Sequence, residues 1–135
     1  MSLVAIVYRN PCNLNAFIKE SAYEVDELTG EVIFVSARPE VVVAEQVKFG
    51  NIAEVAYLRN IVKGFKCPSE SIICNRILYS GSHSGDVIPI DNIEMLEKEI
   101  SYLRTYGHPA LLSFLDGVSK LILAARCENN PIVFV

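Results

Sequence analysis

The residues that most suggest chemistry lie in the segment LYSGSHSGDVIPI, at positions 78–90. Ser82 and Ser84 place hydroxyl groups on either side of the His83 imidazole, and a carboxylate follows at Asp86. Serine, histidine and aspartate are the side chains of nucleophilic acyl-transfer sites. The segment therefore raises four alternatives: catalysis, ligand binding, contact with a partner, or a simple connection between two elements.

Nucleophilic catalysis is disfavoured by the spacing of these residues. Neighbouring side chains on an extended chain point to opposite sides, so His83 needs a turn to reach Ser82 or Ser84. The nucleophile elbow G-x-S-x-G has serine at its centre, whereas the GSHSG run at 81–85 has histidine there. We therefore expect no catalytic residue in this loop and no enzyme activity.

Phosphate binding is disfavoured by the charges of the loop. A glycine-rich loop holds phosphate with converging backbone amides, commonly at a helix N-terminus. Gly81 and Gly85 could supply such amides, but residues 80–86 include no lysine or arginine. The carboxylate of Asp86 would also repel an anion.

Two roles remain for the loop from Ser80 to Asp86. In the structural role, its glycines allow a sharp change of direction and its polar side chains bond the loop's own backbone. In the binding role, the side chains contact another protein; the candidate protein-binding residues are Ser82, His83, Ser84 and Asp86. We expect Asp86 to hold backbone amides and His83 to be the contact residue.

Metal and cofactor sites are not indicated by the remaining reactive side chains. No two of the four cysteines have C-x-x-C spacing, and neither histidine is close to a cysteine in sequence. The pattern predicts no metal site and no cofactor. The cysteines are expected to be reduced and to pack as small buried side chains; they are Cys12, Cys67, Cys74 and Cys127. His108, just before Pro109, is expected to cap a helix.

Length and composition are typical of one globular domain spanning residues 1–135. About half of the residues are apolar, and 21% are charged, which is an ordinary balance for such a domain. We find no signal peptide and no apolar run long enough to cross a membrane. We therefore expect a cytoplasmic protein. The net charge of −4 weighs against nucleic-acid binding and is compatible with a basic protein partner.

The early part of the chain predicts strands, and the later part predicts helices. Strands are predicted at 3–9 and 41–47, with a hairpin of 23–25 and 31–35 around the turn DELTG. Helices are predicted at 51–63, 93–106 and 110–127, with shorter ones at 13–21 and 69–79. The apolar residues 132–135 after Pro131 predict a terminal strand that pairs near the first strand.

Helix boundaries are indicated by capping residues. Asn51 with Glu54 matches a capping box, and Asp91 with Glu94 has the same spacing. Gly64 suits the C′ position that ends the first of these helices. This order of elements predicts an α+β fold: a single, mostly antiparallel sheet with the C-terminal helices packed over one face and a terminal strand.

Three segments resemble a group of short bacterial single-domain proteins: GNIAEVAYLRN (50–60), ILYSGSHSGDVIPI (77–90) and NNPIVFV (129–135). Some of those proteins are similar to the immunity proteins of polymorphic-toxin and contact-dependent inhibition systems. The resemblance implies a bacterial cytoplasmic protein that binds and neutralises a cognate toxin domain. The alternatives are a small enzyme or ligand-binding protein that uses the loop from Ser80 to Asp86, and a non-catalytic subunit or adaptor of a larger assembly.

Overall fold

The computed structural model describes residues 2–9, 23–25, 28, 32–34, 43–65, 71–81 and 85–135, and for 23–25 and 32–34 it describes the backbone alone. The strands are β1 (Ser2–Tyr8), β2 (Tyr23–Val25), β3 (Val32–Phe34), β4 (Val43–Asn51), β5 (Val87–Ile88) and β6 (Ile132–Phe134). The α-helices are α1 (Ile52–Lys63), α2 (Ile93–Arg104) and α3 (Pro109–Glu128). A π-helical turn spans Ile73–Ile77, and a 3-10 turn spans Ile90–Asn92.

The main sheet has four antiparallel strands in the order β4-β1-β6-β5. The chain's last strand is therefore an inner strand, paired with β1 on one side and β5 on the other. This confirms the predicted α+β fold and the predicted pairing of the terminal strand. The hairpin of β2 and β3 is confirmed too, but it forms a two-stranded ladder of its own.

One face of the main sheet carries the helices. Leu3, Ala5 and Val7 alternate along β1 and share a core cluster with Ile132 and Phe134 of β6. The same cluster includes apolar side chains from all three α-helices: Val55, Leu58 and Val62 of α1, Ile93, Leu96, Ile100 and Leu103 of α2, and Leu111, Leu115, Val118 and Ile122 of α3. The helical spacing of these residues in the sequence predicts this shared face.

α1 begins where the sequence predicts it. The Asn51 side chain accepts a hydrogen bond from the Glu54 amide at 2.9 Å, and Glu54 Oε1 accepts one from the Asn51 amide at 3.4 Å. This reciprocal pair satisfies two amides that have no partner within the helix. Gly50, at φ +135°, lets the chain pass directly from β4 into this cap.

α2 and α3 form an antiparallel pair joined by residues 105–108. Gly107 takes φ +62° in that connection, and His108 Nδ1 accepts a hydrogen bond from the Ala110 amide at 3.2 Å. The predicted cap at His108, with Pro109 in the first turn, is thus confirmed. Arg104 Nη2 lies 2.9 Å from Asp116 Oδ1 and links the two helices near this connection.

The π-helical turn is attached to α2 by a carboxylate. Glu99 Oε1 accepts from the Ile72 amide at 2.6 Å, and Glu99 Oε2 accepts from the hydroxyl of buried Ser71 at 2.7 Å. A carboxylate is favourable there because the first amides of a helical turn have no partner within it. Glu99 thereby fixes the segment that leads into the loop at 80–86.

One predicted boundary was wrong. Asp91 lies in the 3-10 turn, and Asn92 precedes α2 without a side-chain cap, so Asp91 and Glu94 form no capping box. The end of α1 at Gly64 is confirmed: Gly64 is the C-cap after Lys63, with right-handed angles (φ −67°) and its amide bonded to carbonyls of the last helical turn. The short helix predicted at 13–21 lies outside the described residues, as do residues 69–70 of the one predicted at 69–79.

Candidate functional site

The loop at 80–86 is closed at its base by a side-chain contact. The Tyr79 hydroxyl, at the end of the π-helical segment, donates a hydrogen bond to the Asp86 carboxylate, just before β5. The backbone is held on both sides as well: Arg59 Nε donates to the Leu78 carbonyl at 2.6 Å, and the Phe134 amide donates to the Asp86 carbonyl at 2.9 Å.

The two glycines of the loop have separate roles. Gly81 is buried against the start of α1, where a Cβ atom would lie 2.7 Å from the Ile52 Cα. Gly85 takes φ +94° and donates its amide to the Phe134 carbonyl at 2.7 Å. Gly81 is required for close approach and Gly85 for its backbone angle, which agrees with the prediction that glycines shape this loop.

The structure places one of the four candidate loop residues. Asp86 is half-buried and bonded to Tyr79, a partner that the sequence analysis did not identify. Ser82, His83 and Ser84 lie outside the described residues. A cavity of about 290 Å³ adjoins the base of the loop; it is lined by Asn75, Arg76, Tyr79, Asp86 and Val87.

The contact between Tyr79 and Asp86 predicts that the stability of the folded protein depends on pH. It raises the pKa of Tyr79 to about 12, first because the carboxylate accepts the phenolic proton, then through burial and through repulsion of a tyrosinate by Asp86. The folded-state pKa lies above the ordinary value of 10, so this stabilisation is complete below pH 10 and is lost as the pH rises towards 12.

The measurement is a titration of the assigned Tyr79 ring resonances by NMR. We expect Asp86→Asn to move the Tyr79 pKa back towards 10, because the neutral amide is a weaker acceptor and carries no charge. The contact is contradicted if Tyr79 titrates near 10 in the unmodified protein.

Other reactive side chains form no second constellation within the described part of the chain. Cys74 was predicted to be buried and is half-buried against the core, whereas Cys127 is exposed, so the predicted burial of Cys127 was wrong. Cys12 and Cys67 lie outside the described residues. Among those that are described, no three His, Cys, Asp or Glu side chains cluster in a way that could hold a metal ion.

A groove that the sequence analysis did not predict lies between β4, α1 and α3. Its volume is about 620 Å³. β4 contributes five consecutive residues, 45–49, so the groove runs along that strand. Apolar contacts come from Phe49 and Phe114, whose ring centroids lie 5.2 Å apart, and polar ones from Lys48, Ser113 and Lys120.

Small side chains on α3 make room for this groove. Gly117 is buried, and a Cβ atom there would lie 2.9 Å from Val47 Cγ1, so α3 and β4 are in close contact at this point. A second cavity of about 510 Å³ shares Glu45 and Lys120 with the first and continues to Cys127. The two cavities together form one groove along a face of α3. That face carries Ala110, Ser113, Gly117, Lys120, Ala124 and Cys127.

The groove has apolar side chains exposed along its course. Tyr57 lines the first cavity and is 57% exposed, and Leu123 lines the second and is 66% exposed. No nucleophile in the groove is hydrogen-bonded to a general base among the described residues. Apolar side chains beside a polar rim are typical of surfaces that recognise another molecule.

None of the helices in the described ranges is long and apolar enough to cross a membrane. Comparison of the chain with protein-family models, with curated proteins and with solved structures finds no match.

Proposed function

We propose that this protein is a cytoplasmic immunity-type protein of bacteria that binds and neutralises a cognate toxin domain. The resemblance of the segments 50–60, 77–90 and 129–135 to such proteins supports this proposal. The proposal requires a surface that binds another protein and requires no catalytic group.

The observation that carries the proposal is the groove along β4 and α3. Tyr57 and Leu123 are among the most exposed large apolar side chains of the described residues, and both border this one groove. Aromatic and apolar anchors beside a groove are typical of the residues that contribute most to protein–protein binding. The groove is therefore the surface that we assign to the toxin.

A ligand site at the loop of 80–86 has less support. Its cavity is less than half the volume of the groove. Its two main polar side chains, Tyr79 and Asp86, are already bonded to each other. A ligand would have to compete with that bond.

The proposal predicts that the protein protects cells from the toxin domain encoded beside its gene and forms a stable complex with it. Replacing both Tyr57 and Leu123 by alanine should weaken the complex at least tenfold, because two exposed anchors of an interface are lost. The affinity is measured by isothermal titration calorimetry on the purified proteins, and protection by co-expression.

The matched control is Met95→Ala, which changes an apolar side chain of similar exposure (50%) on α2, away from the groove. This variant should bind as the unmodified protein does. Absence of both binding and protection in the unmodified protein would contradict the proposed function. Equal losses in the Met95 control and the groove variant would show that the groove is not the binding surface.

A further inference from the structure

The helix that forms one wall of the groove begins at a histidine cap. His108 precedes α3, and its Nδ1 accepts a hydrogen bond from the Ala110 amide at 3.2 Å. The His108 carbonyl accepts from the amides of Leu111 and Leu112, at 3.0 and 3.1 Å. The Ala110 amide lies too early in the helix to reach a carbonyl of the helix itself. The imidazole ring is therefore the group that satisfies it.

The ring can cap α3 only while it is neutral. In neutral imidazole one nitrogen carries a proton and the other accepts, so the bond from Ala110 places the ring proton on Nε2. Protonated imidazole donates at both nitrogens and accepts at neither. It would also bring a positive charge to the N-terminus of a helix of 20 residues, where the helix dipole favours negative charge. Uptake of a proton by His108 therefore removes the cap.

The charged groups around the start of α3 do not offset a positive charge on His108. The first turn of α3 has no acidic residue. The last turn of α1 carries Lys63, and the last turn of α2 carries Arg104, which is paired with Asp116. Within the described part of the chain, no carboxylate forms an ion pair or a hydrogen bond with the His108 ring.

The neighbour that the His108 ring contacts is aromatic. The ring centroids of His108 and Phe65 lie 6.4 Å apart in an edge-on arrangement. Phe65 stacks on Tyr106 at 4.1 Å, and the hydroxyl group of Tyr106 is bonded to that of Tyr102. An aromatic face attracts a cation within about 6 Å of the ring centre, so Phe65 adds little attraction for a protonated ring.

The capped turn is part of the groove. Ala110, whose amide forms the cap bond, lines the first cavity together with Ser113 and Phe114. The Phe114 ring packs against Phe49 of β4, with ring centroids 5.2 Å apart. A change in the first turn of α3 is therefore a change in one wall of the groove.

We infer that His108 is a pH-sensitive cap: its neutral ring holds the first turn of α3 and the adjoining wall of the groove, and its protonated ring releases them. Histidine is the side chain that ordinarily changes charge between about pH 5 and 8. Because the folded state favours the neutral ring, the stabilisation is present at the upper end of this range and is lost as the pH falls. Where it concerns the toxin, the inference rests on the proposed function, since acid then weakens the complex.

The first test compares the unmodified protein with His108→Asn by urea denaturation. The two conditions are about pH 7.5 and about pH 5.5, on either side of the ordinary titration of histidine. Asparagine is a good helix cap and does not titrate. Loss of a cap bond changes a folding equilibrium about fivefold. On acidification, the unfolding constant of the unmodified protein should therefore rise about three- to fivefold more than that of His108→Asn.

His83→Asn is the matched control, because the chain has two histidines and this variant removes the other one. It should keep the pH dependence of the unmodified protein. The amide proton resonance of Ala110 gives a local measurement by NMR, and it should shift as the His108 ring takes up its proton. Equal pH dependence of the unmodified protein and His108→Asn, or an Ala110 resonance that does not follow the ring, would overturn the inference.

Binding of the toxin domain, measured by calorimetry at both pH values, separates this inference from the proposed function. The unmodified protein should lose about twofold more affinity on acidification than His108→Asn, and titration of the toxin itself cancels in this comparison. If the toxin binds and both proteins lose affinity equally, the inference is wrong and the proposed function stands. If the toxin binds neither protein at either pH, the proposed function fails, and the urea and NMR measurements decide whether His108 is a pH-sensitive cap.

Discussion

Removal of residues 132–135 is expected to abolish the cooperative folding of the protein. β6 is an inner strand, so its loss leaves β1 without one neighbour and β5 without its only described partner. Ile132, Val133 and Phe134 are each at most 4% exposed. Losing a buried side chain of this size costs about 2–5 kcal/mol, and a domain has only about 5–15 kcal/mol of stability in total.

The measurement is thermal and urea denaturation of the truncated chain, followed by circular dichroism. Removal of Val135 alone is the matched control, because this residue is 46% exposed and contributes one backbone hydrogen bond, to Val4. It should lower the free energy of unfolding by about 1 kcal/mol. A sharp unfolding transition of the truncated chain near that of the full chain would show that β6 is dispensable.

Replacement of Leu115 by alanine is expected to cost about 2–5 kcal/mol in the free energy of unfolding. Leu115 is fully buried in the core cluster, so its truncation removes apolar contacts and leaves a cavity. Leu112→Ala on the same helix is the control; this side chain is 37% exposed, so its replacement should cost clearly less. A loss below about 1 kcal/mol for Leu115 would contradict its position in the core.

The fold could be predicted from the sequence where local patterns have one interpretation. The capping box of Asn51 and Glu54 uses a short-range geometry, so its spacing was enough to locate the start of α1. Four apolar residues after Pro131 predicted a terminal strand that pairs near the first strand, because an apolar strand left outside the sheet would be exposed. The pair Asp91 and Glu94 shows the limit, since the same spacing begins inside a 3-10 turn at 90–92 and no capping box forms.

The candidate site was harder to predict because it is formed by residues that lie far apart in the sequence. The groove forms where α3 crosses β4, and Gly117 contacts Val47 although 70 positions separate them in sequence. The small residues on one face of α3 were visible in the sequence, but nothing local indicates that a strand edge lies opposite them. The loop at 80–86, in contrast, has a prominent motif, yet its Asp86 is engaged by Tyr79.

Amide hydrogen exchange of the protein, alone and in complex with the toxin domain, tests most directly whether the groove is the binding surface. We expect the complex to slow exchange in β4, whose residues 45–49 line the groove. Exchange in α2, which does not line the groove, should be unchanged. Slower exchange confined to the loop at 80–86, with β4 unaffected, would show that the groove is not the binding surface.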